Sequence, residues 1–148
     1  KIITQNVDNL HEKAGSTNVL HLHGELMKVR STGPGEEIFT LSDDNYETHP
    51  GDVCPEGFQL RPHIVWFGEA VPAMDQAIRT VEEADIMLII GTSMQVYPAA
   101  GLIHYVRSGV PVYLIDPNEV GVYGRDISVI KKGAGEGMKD FMNRLKNK

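Results

Sequence analysis

Asp85-Ile86-Met87-Leu88-Ile89-Ile90-Gly91-Thr92-Ser93 is the stretch on which the fold turns. A continuous apolar run bounded by a glycine reads as a strand covered on both faces. Upstream, Met74, Ala77, Ile78 and Val81 recur at three and four, the spacing of an amphipathic helix. Downstream, a helix is expected at about 98–107, with Leu102, Ile103 and Val106 inward and Gly109 as its stop. Val110–Ile115 is another apolar strand and Asp126–Ile130 a third. Met138, Phe141, Met142 and Leu145 place one apolar stripe on a last helix. Strands alternating with helices imply an α/β fold, a Rossmann-like parallel sheet with helices on both faces.

Toward the start, residues 1–7 and 18–23 read as short buried strands flanking a helical turn, Asn9 to Gly15. Residues 26–30 form a further candidate strand. From Ser31 to Arg61 the pattern dissolves among breakers: Gly33-Pro34-Gly35, Pro50-Gly51, Pro55 and Gly57. Such a stretch inside a compact domain is expected to be an insertion with its own small structure, or a mobile flap. The expected organisation is one domain from 1–25 and 65–148, with 26–64 as an irregular insertion. The opening Lys1-Ile2-Ile3-Thr4 reads as a strand already under way, so an amino-terminal piece is expected before it.

The 148 residues carry 14 Lys and Arg against 20 Asp and Glu, a net charge of −6. That balance argues against a nucleic-acid partner, which needs a basic face. The apolar share of 41% suits a globular domain, and no apolar run approaches a membrane span. A single cysteine excludes an internally disulfide-stapled secreted domain, and a cytoplasmic location is expected. Residues 36–56 hold seven acids and no Lys or Arg, whereas 131–148 hold six basic residues and two acids. These read as a solvated loop region and a basic closing helix.

In open parallel sheets, ligands bind beyond the carboxyl ends of the strands. Four sequences fall there: Thr4-Gln5-Asn6-Val7-Asp8, His21-Leu22-His23-Gly24, Gly91-Thr92-Ser93 and Asp116-Pro117-Asn118. Gly91 lets a ligand approach the backbone, and the hydroxyls of Thr92 and Ser93 can hold phosphate or ribose oxygens. Asp116 suits a ribose diol, or equally starts a turn before Pro117. Of His21 and His23, one can point to a cleft while the other packs; a neutral imidazole is a base near pH 7. Gln5, Asn6 and Asp8 offer donors and acceptors for an amide or ribose, or simply cap a turn. The usual Gly-x-Gly-x-x-Gly fingerprint is absent, which weakens a standard dehydrogenase reading.

Together these segments resemble the sirtuin family of NAD-dependent protein deacylases. Thr4-Gln5-Asn6-Val7-Asp8-Asn9-Leu10-His11, His23-Gly24, Val65-Trp66-Phe67-Gly68-Glu69, Gly91-Thr92-Ser93 and Val96-Tyr97-Pro98-Ala99-Ala100 stand in the family's order. The run Leu60–Glu69 is most similar to the bacterial and mitochondrial branch that includes desuccinylases and deacetylases. The resemblance implies that His23 is the catalytic base, acting through a ribose hydroxyl, with Asn6 and Asp8 beside it. Gln5, Asn6, Val7 and Asp8 would contact nicotinamide and its ribose. Gly91, Thr92, Ser93, Asp116, Pro117 and Asn118 would serve the phosphate and adenosine ribose, with Ala134 beside the adenine. Val65, Phe67, Gly68 and Glu69 on one edge, and Met94, Gln95 and Val96 on the other, would flank an acyl-lysine peptide lying as an added strand. The implied reaction releases nicotinamide, lysine and an O-acyl-ADP-ribose, with no metal in the chemistry.

Two departures from the family stand out. Its opening phosphate loop would precede Lys1. The structural zinc it usually carries needs four cysteines in the region Ser31–Arg61; only Cys54 is present, with Ser31 near the first expected cysteine, so no zinc is expected. The competing readings are a catalytically silent NAD- or ADP-ribose-binding module and a different nucleotide-using α/β enzyme. Retention of His23 with Asn6 and Asp8 favours the deacylase over a silent module. Phe67-Gly68-Glu69 alongside His23-Gly24 disfavours the third reading. Residues 1–148 alone are expected to be inactive and to self-associate through exposed sheet edges.

Overall fold

The computed structural model describes residues 1–118, 121 and 126–146. Its backbone falls into two compact units, Lys1–Met74 and Asp75–Lys148.

The second unit is the parallel sheet expected from the apolar runs. Strands β6 (Met87–Ile90), β7 (Val112–Ile115) and β8 (Ser128–Ile130) lie in the order β6-β7-β8, all parallel. β7 is central, and each of its four residues is buried, so both of its faces are covered. Tyr113 and Ile115 share one face with Ile130, and α3 (Ala134–Lys146) lays Phe141 on them. The Tyr113 and Phe141 rings meet edge to face at 5.0 Å. Gly137 allows α3 this close: a Cβ there would lie 2.2 Å from Ile115 Cγ2. On α2 (Met74–Glu82), Ala77 and Val81 are buried as their spacing implied.

Two expectations for this unit need correction. β6 is not covered on both faces: Ile86 is 40% exposed and Ile90 38%. It lies at the edge of the described sheet, and α3 packs on β7 and β8. The 98–107 helix is a 3₁₀ segment, Ala99–Tyr105, with Leu102 and Ile103 buried as expected and Val106 buried just beyond its end. Gly101 N donates to Pro98 O and Val106 N to Ile103 O, both three residues back. A proline at its start and a glycine in its first turn leave little support for a regular α-helix.

The first unit holds two separate sheets. β1 (Ile2–Thr4) and β2 (Val19–His21) pair in parallel around the single turn α1 (Leu10–Lys13). The strands expected over 1–7 and 18–23 are therefore shorter, because polar Gln5–Asp8 turn away from the ladder. These two strands and β6–β8 belong to different sheets among the described residues, not to the single sheet expected. β3 (Gly24–Ser31) pairs antiparallel with β4 (Ile38–Thr40) and β5 (Leu60–Ile64), so the patternless stretch has its own small structure. A register shift between Gly24 and Val29 bends β3.

That module is tied together by polar groups. Gln59 Nε2 donates to the carbonyls of Asp52 at 2.9 Å and Leu60 at 2.8 Å, while its Oε1 accepts from Gly51 N at 2.8 Å. Ser31 Oγ accepts from Gly33 N at 3.0 Å and lies 3.4 Å from Cys54 Sγ.

Candidate active site

In the first unit, β1 and β2 end side by side, and the segments after their last residues come together. Leu22 N donates to Thr4 O, and Leu26 N to Val7 O. β2 ends at His21, so His23 lies in the turn beyond it, and Leu22 between them is 2% exposed. His23 Nδ1 is 3.1 Å from Gln5 O, and His21 Nδ1 is 3.0 Å from Asn6 O. A carbonyl oxygen only accepts, so His23 donates from Nδ1, and in the neutral ring the lone pair then lies on Nε2. That is the tautomer a general base requires.

Gly24 closes the turn after His23. Its φ of +84° is one that residues with a Cβ rarely adopt, and a Cβ there would fall 2.0 Å from His63 O. Backbone therefore packs against backbone directly beside His23. From the end of β5, Val65 N donates to His23 O at 2.9 Å, which joins the Val65–Glu69 segment to the histidine turn.

Part of the polar cluster is turn chemistry. Asp8 Oδ1 accepts from Leu10 N at 3.0 Å at the entry to α1, and Thr4 Oγ1 accepts from Asn6 N at 3.1 Å. Gln5 and Val7 are partly buried, and Asn6 is exposed.

Glu69 serves its own loop. It accepts from Arg61 Nη1 at 2.7 Å, from Trp66 N at 3.0 Å and from Arg30 at 3.4 Å. The Arg61 guanidinium, with the Trp66 amide, holds its carboxyl below the usual range. These bonds fix a turn on which Phe67 is 99% exposed and Trp66 is 55% exposed. Arg30 escapes a reading of the sequence, since it stands 39 residues from Glu69 with no motif to join them, and Arg61 shares the Leu60–Glu69 run with Glu69 without a sign that the two pair.

In the second unit the structure brings Gly91 and Asp116 together at the carboxyl edge of the parallel sheet. Gly91 N donates to Ile115 O, at a φ of +61° that suits glycine. Thr92 Oγ1 accepts from Met94 N at 3.3 Å, and Ser93, Gln95 and Val96 are exposed. Asp116 is buried, and its Oδ1 accepts from Asn118 N at 2.8 Å across Pro117. Ala134, exposed, opens α3.

The residues present do not fit the family's zinc. Among the described residues no group of three or more His, Cys, Asp and Glu side chains could hold a metal ion. Cys54 is buried against a serine hydroxyl, whereas a closed tetrahedral site needs four ligands. Among the described residues no helix is long and apolar enough to cross a membrane.

The Sir2 family model matches residues 1–98. The chain belongs to the Sir2 family. An NAD-dependent protein deacylase of Bacteroides thetaiotaomicron is 55% identical over 97% of this chain, which covers 63% of that relative. A Sir2 homologue solved as its NAD complex superposes with a TM-score of 0.82 at 40% identity, over 99% of this chain and 59% of that one. A Sir2 complex with a p53 peptide and NAD+ gives a TM-score of 0.77 at 31% identity, over 99% of this chain and 63% of the other. The chain thus spans about three-fifths of the length of these Sir2 proteins.

Proposed function

We propose that the protein containing this chain is an NAD-dependent protein-lysine deacylase of the deacetylase or desuccinylase type, consuming NAD and releasing nicotinamide and an O-acyl-ADP-ribose. The observation that carries this reading is His23. Its Nδ1–H donates to Gln5 O, which puts the lone pair of the neutral ring on Nε2, and its own carbonyl receives the amide of Val65. A binding module has no use for a base set in one tautomer.

In this reading His23 Nε2 takes the proton of a ribose hydroxyl, and Asn6 and Asp8 orient nicotinamide and its ribose. Gln5 and Val7 complete that contact. Gly91, Thr92, Ser93, Asp116, Pro117 and Asn118 serve the adenosine side, with Ala134 near the adenine. Residues 1–25 and 65–148 then serve NAD, and 26–64 form the small module. The acyl-lysine peptide pairs with Val65, Phe67 and Gly68 on one edge and with Met94, Gln95 and Val96 on the other. Glu69 acts through Arg61 and Trp66 rather than on the peptide. The relatives' names and the solved NAD and peptide complexes support the reading. A cytoplasmic location goes with it, and the exposed Ile86 and Ile90 of the β6 edge favour self-association of residues 1–148 alone.

The test is nicotinamide release by the full-length protein. Release should require both NAD and an acyl-lysine peptide, with acetyl- and succinyl-lysine compared. NAD binding with no release under any peptide would favour the silent-module alternative.

A further inference from the structure

We propose that His21 is an imidazolium bridge that ties the Gln5–Asp8 loop to α1, and so is a positioning residue for the groups that would meet NAD. Its side chain is only 6% exposed. Nδ1 lies 3.0 Å from Asn6 O and Nε2 lies 3.0 Å from Glu12 Oε1. A carbonyl and an ionised carboxylate both only accept, so each ring nitrogen must carry a proton, and a neutral ring carries one. His23, two residues on, faces one acceptor; His21 faces two.

The charged groups around the ring agree with this. Glu12 faces it from α1 and Glu25 from β3, and His11 on α1 acts on Glu12. Burial opposes the charge, but the Glu12 carboxylate and the Asn6 carbonyl outweigh it, with Glu25 adding to them, and the pKa is raised above 6.5. The His21 contact in turn lowers Glu12. Asn6 is then held at both ends of its backbone, its N–H by Thr4 Oγ1 and its carbonyl by His21, with its side chain left exposed. Loss of the ring's second proton leaves one acceptor without a donor. Because the folded pKa is raised, the bridge is complete at pH 6.5 and down to where Glu12, held below 4.5, takes a proton, and it is lost as pH rises through the folded value of His21.

The ring's charge is a property of the chain; its effect on NAD rests on the deacylase reading. Ring ¹⁵N resonances of the chain, followed against pH, decide the first. Two protonated ring nitrogens at pH 6.5 are expected, with a midpoint that moves down in Glu12→Gln. A midpoint at or below 6.5, or one unmoved by Glu12→Gln, overturns the bridge. In the full-length protein, KM for NAD should rise severalfold through that midpoint while kcat at saturating NAD stays nearly level. Glu12→Gln should carry the rise to lower pH. A KM profile indifferent to the midpoint and to Glu12→Gln overturns the positioning role. If the parent releases no nicotinamide at any pH, the deacylase reading fails. The ring titration, with NAD affinity by calorimetry, then still decides the proposal.

Discussion

The sheets β6-β7-β8 and β4-β3-β5 have three strands each and are held by opposite means. In the first, all four residues of β7 are buried, and Tyr113, Ile115, Ile130 and Phe141 form one apolar cluster. In the second, β4 exposes Ile38 and Thr40, and the ties are polar side chains: Gln59 on the backbone of Gly51, Asp52 and Leu60, Ser31 beside the Cys54 thiol, and Glu69 on the Arg61 guanidinium. A parallel sheet needs cover on both faces and recruits helices to supply it. A short antiparallel insertion can be secured locally, by bonds that each contribute about 0.5–1.5 kcal/mol.

That contrast predicts graded effects. Phe141→Ala should lower stability by about 3–5 kcal/mol in urea denaturation, because it opens a cavity over β7 and β8. Gln59→Ala removes several exposed bonds and should cost about 1–3 kcal/mol. Its effect should appear as faster amide exchange in β3 and β5, with β6–β8 unchanged. A chelator should leave that exchange pattern as it is; a loosening of the module on chelation would reveal a metal among its ties. The smallest effect concerns Glu69. Its carboxyl is held below 4.5, so the Trp66–Glu69 turn keeps this tie above that pH and loses it as pH falls through the lowered value. Trp66 is the only tryptophan, so its emission reports the loss directly, and Glu69→Gln should abolish the transition.

The same contrast explains what was legible in the sequence. Continuous apolar runs and three-four spacing exposed β6, β7, α2 and α3, because burial of apolar groups leaves a periodic trace. Of the module only the strand at 26–30 and the bounds of the insertion were legible, since its ties join single polar residues at irregular distances, as with Arg30 and Glu69. In the candidate site, the Gln5–Asp8 and His23–Gly24 segments were recognisable as motifs, and the fold brings them together. The tautomer of His23 and the second acceptor on His21 were not legible, because they depend on where the carbonyls of Gln5 and Asn6 and the carboxylate of Glu12 lie in space.

Whether His23 is the base is decided by single-turnover deacylation in full-length His23→Ala, at saturating NAD and acyl-lysine peptide, paired with NAD affinity by calorimetry. The rate should fall by about 10²–10⁴-fold, the usual worth of a positioned base, with NAD affinity close to that of the parent. Near-normal turnover in the variant would contradict the assignment.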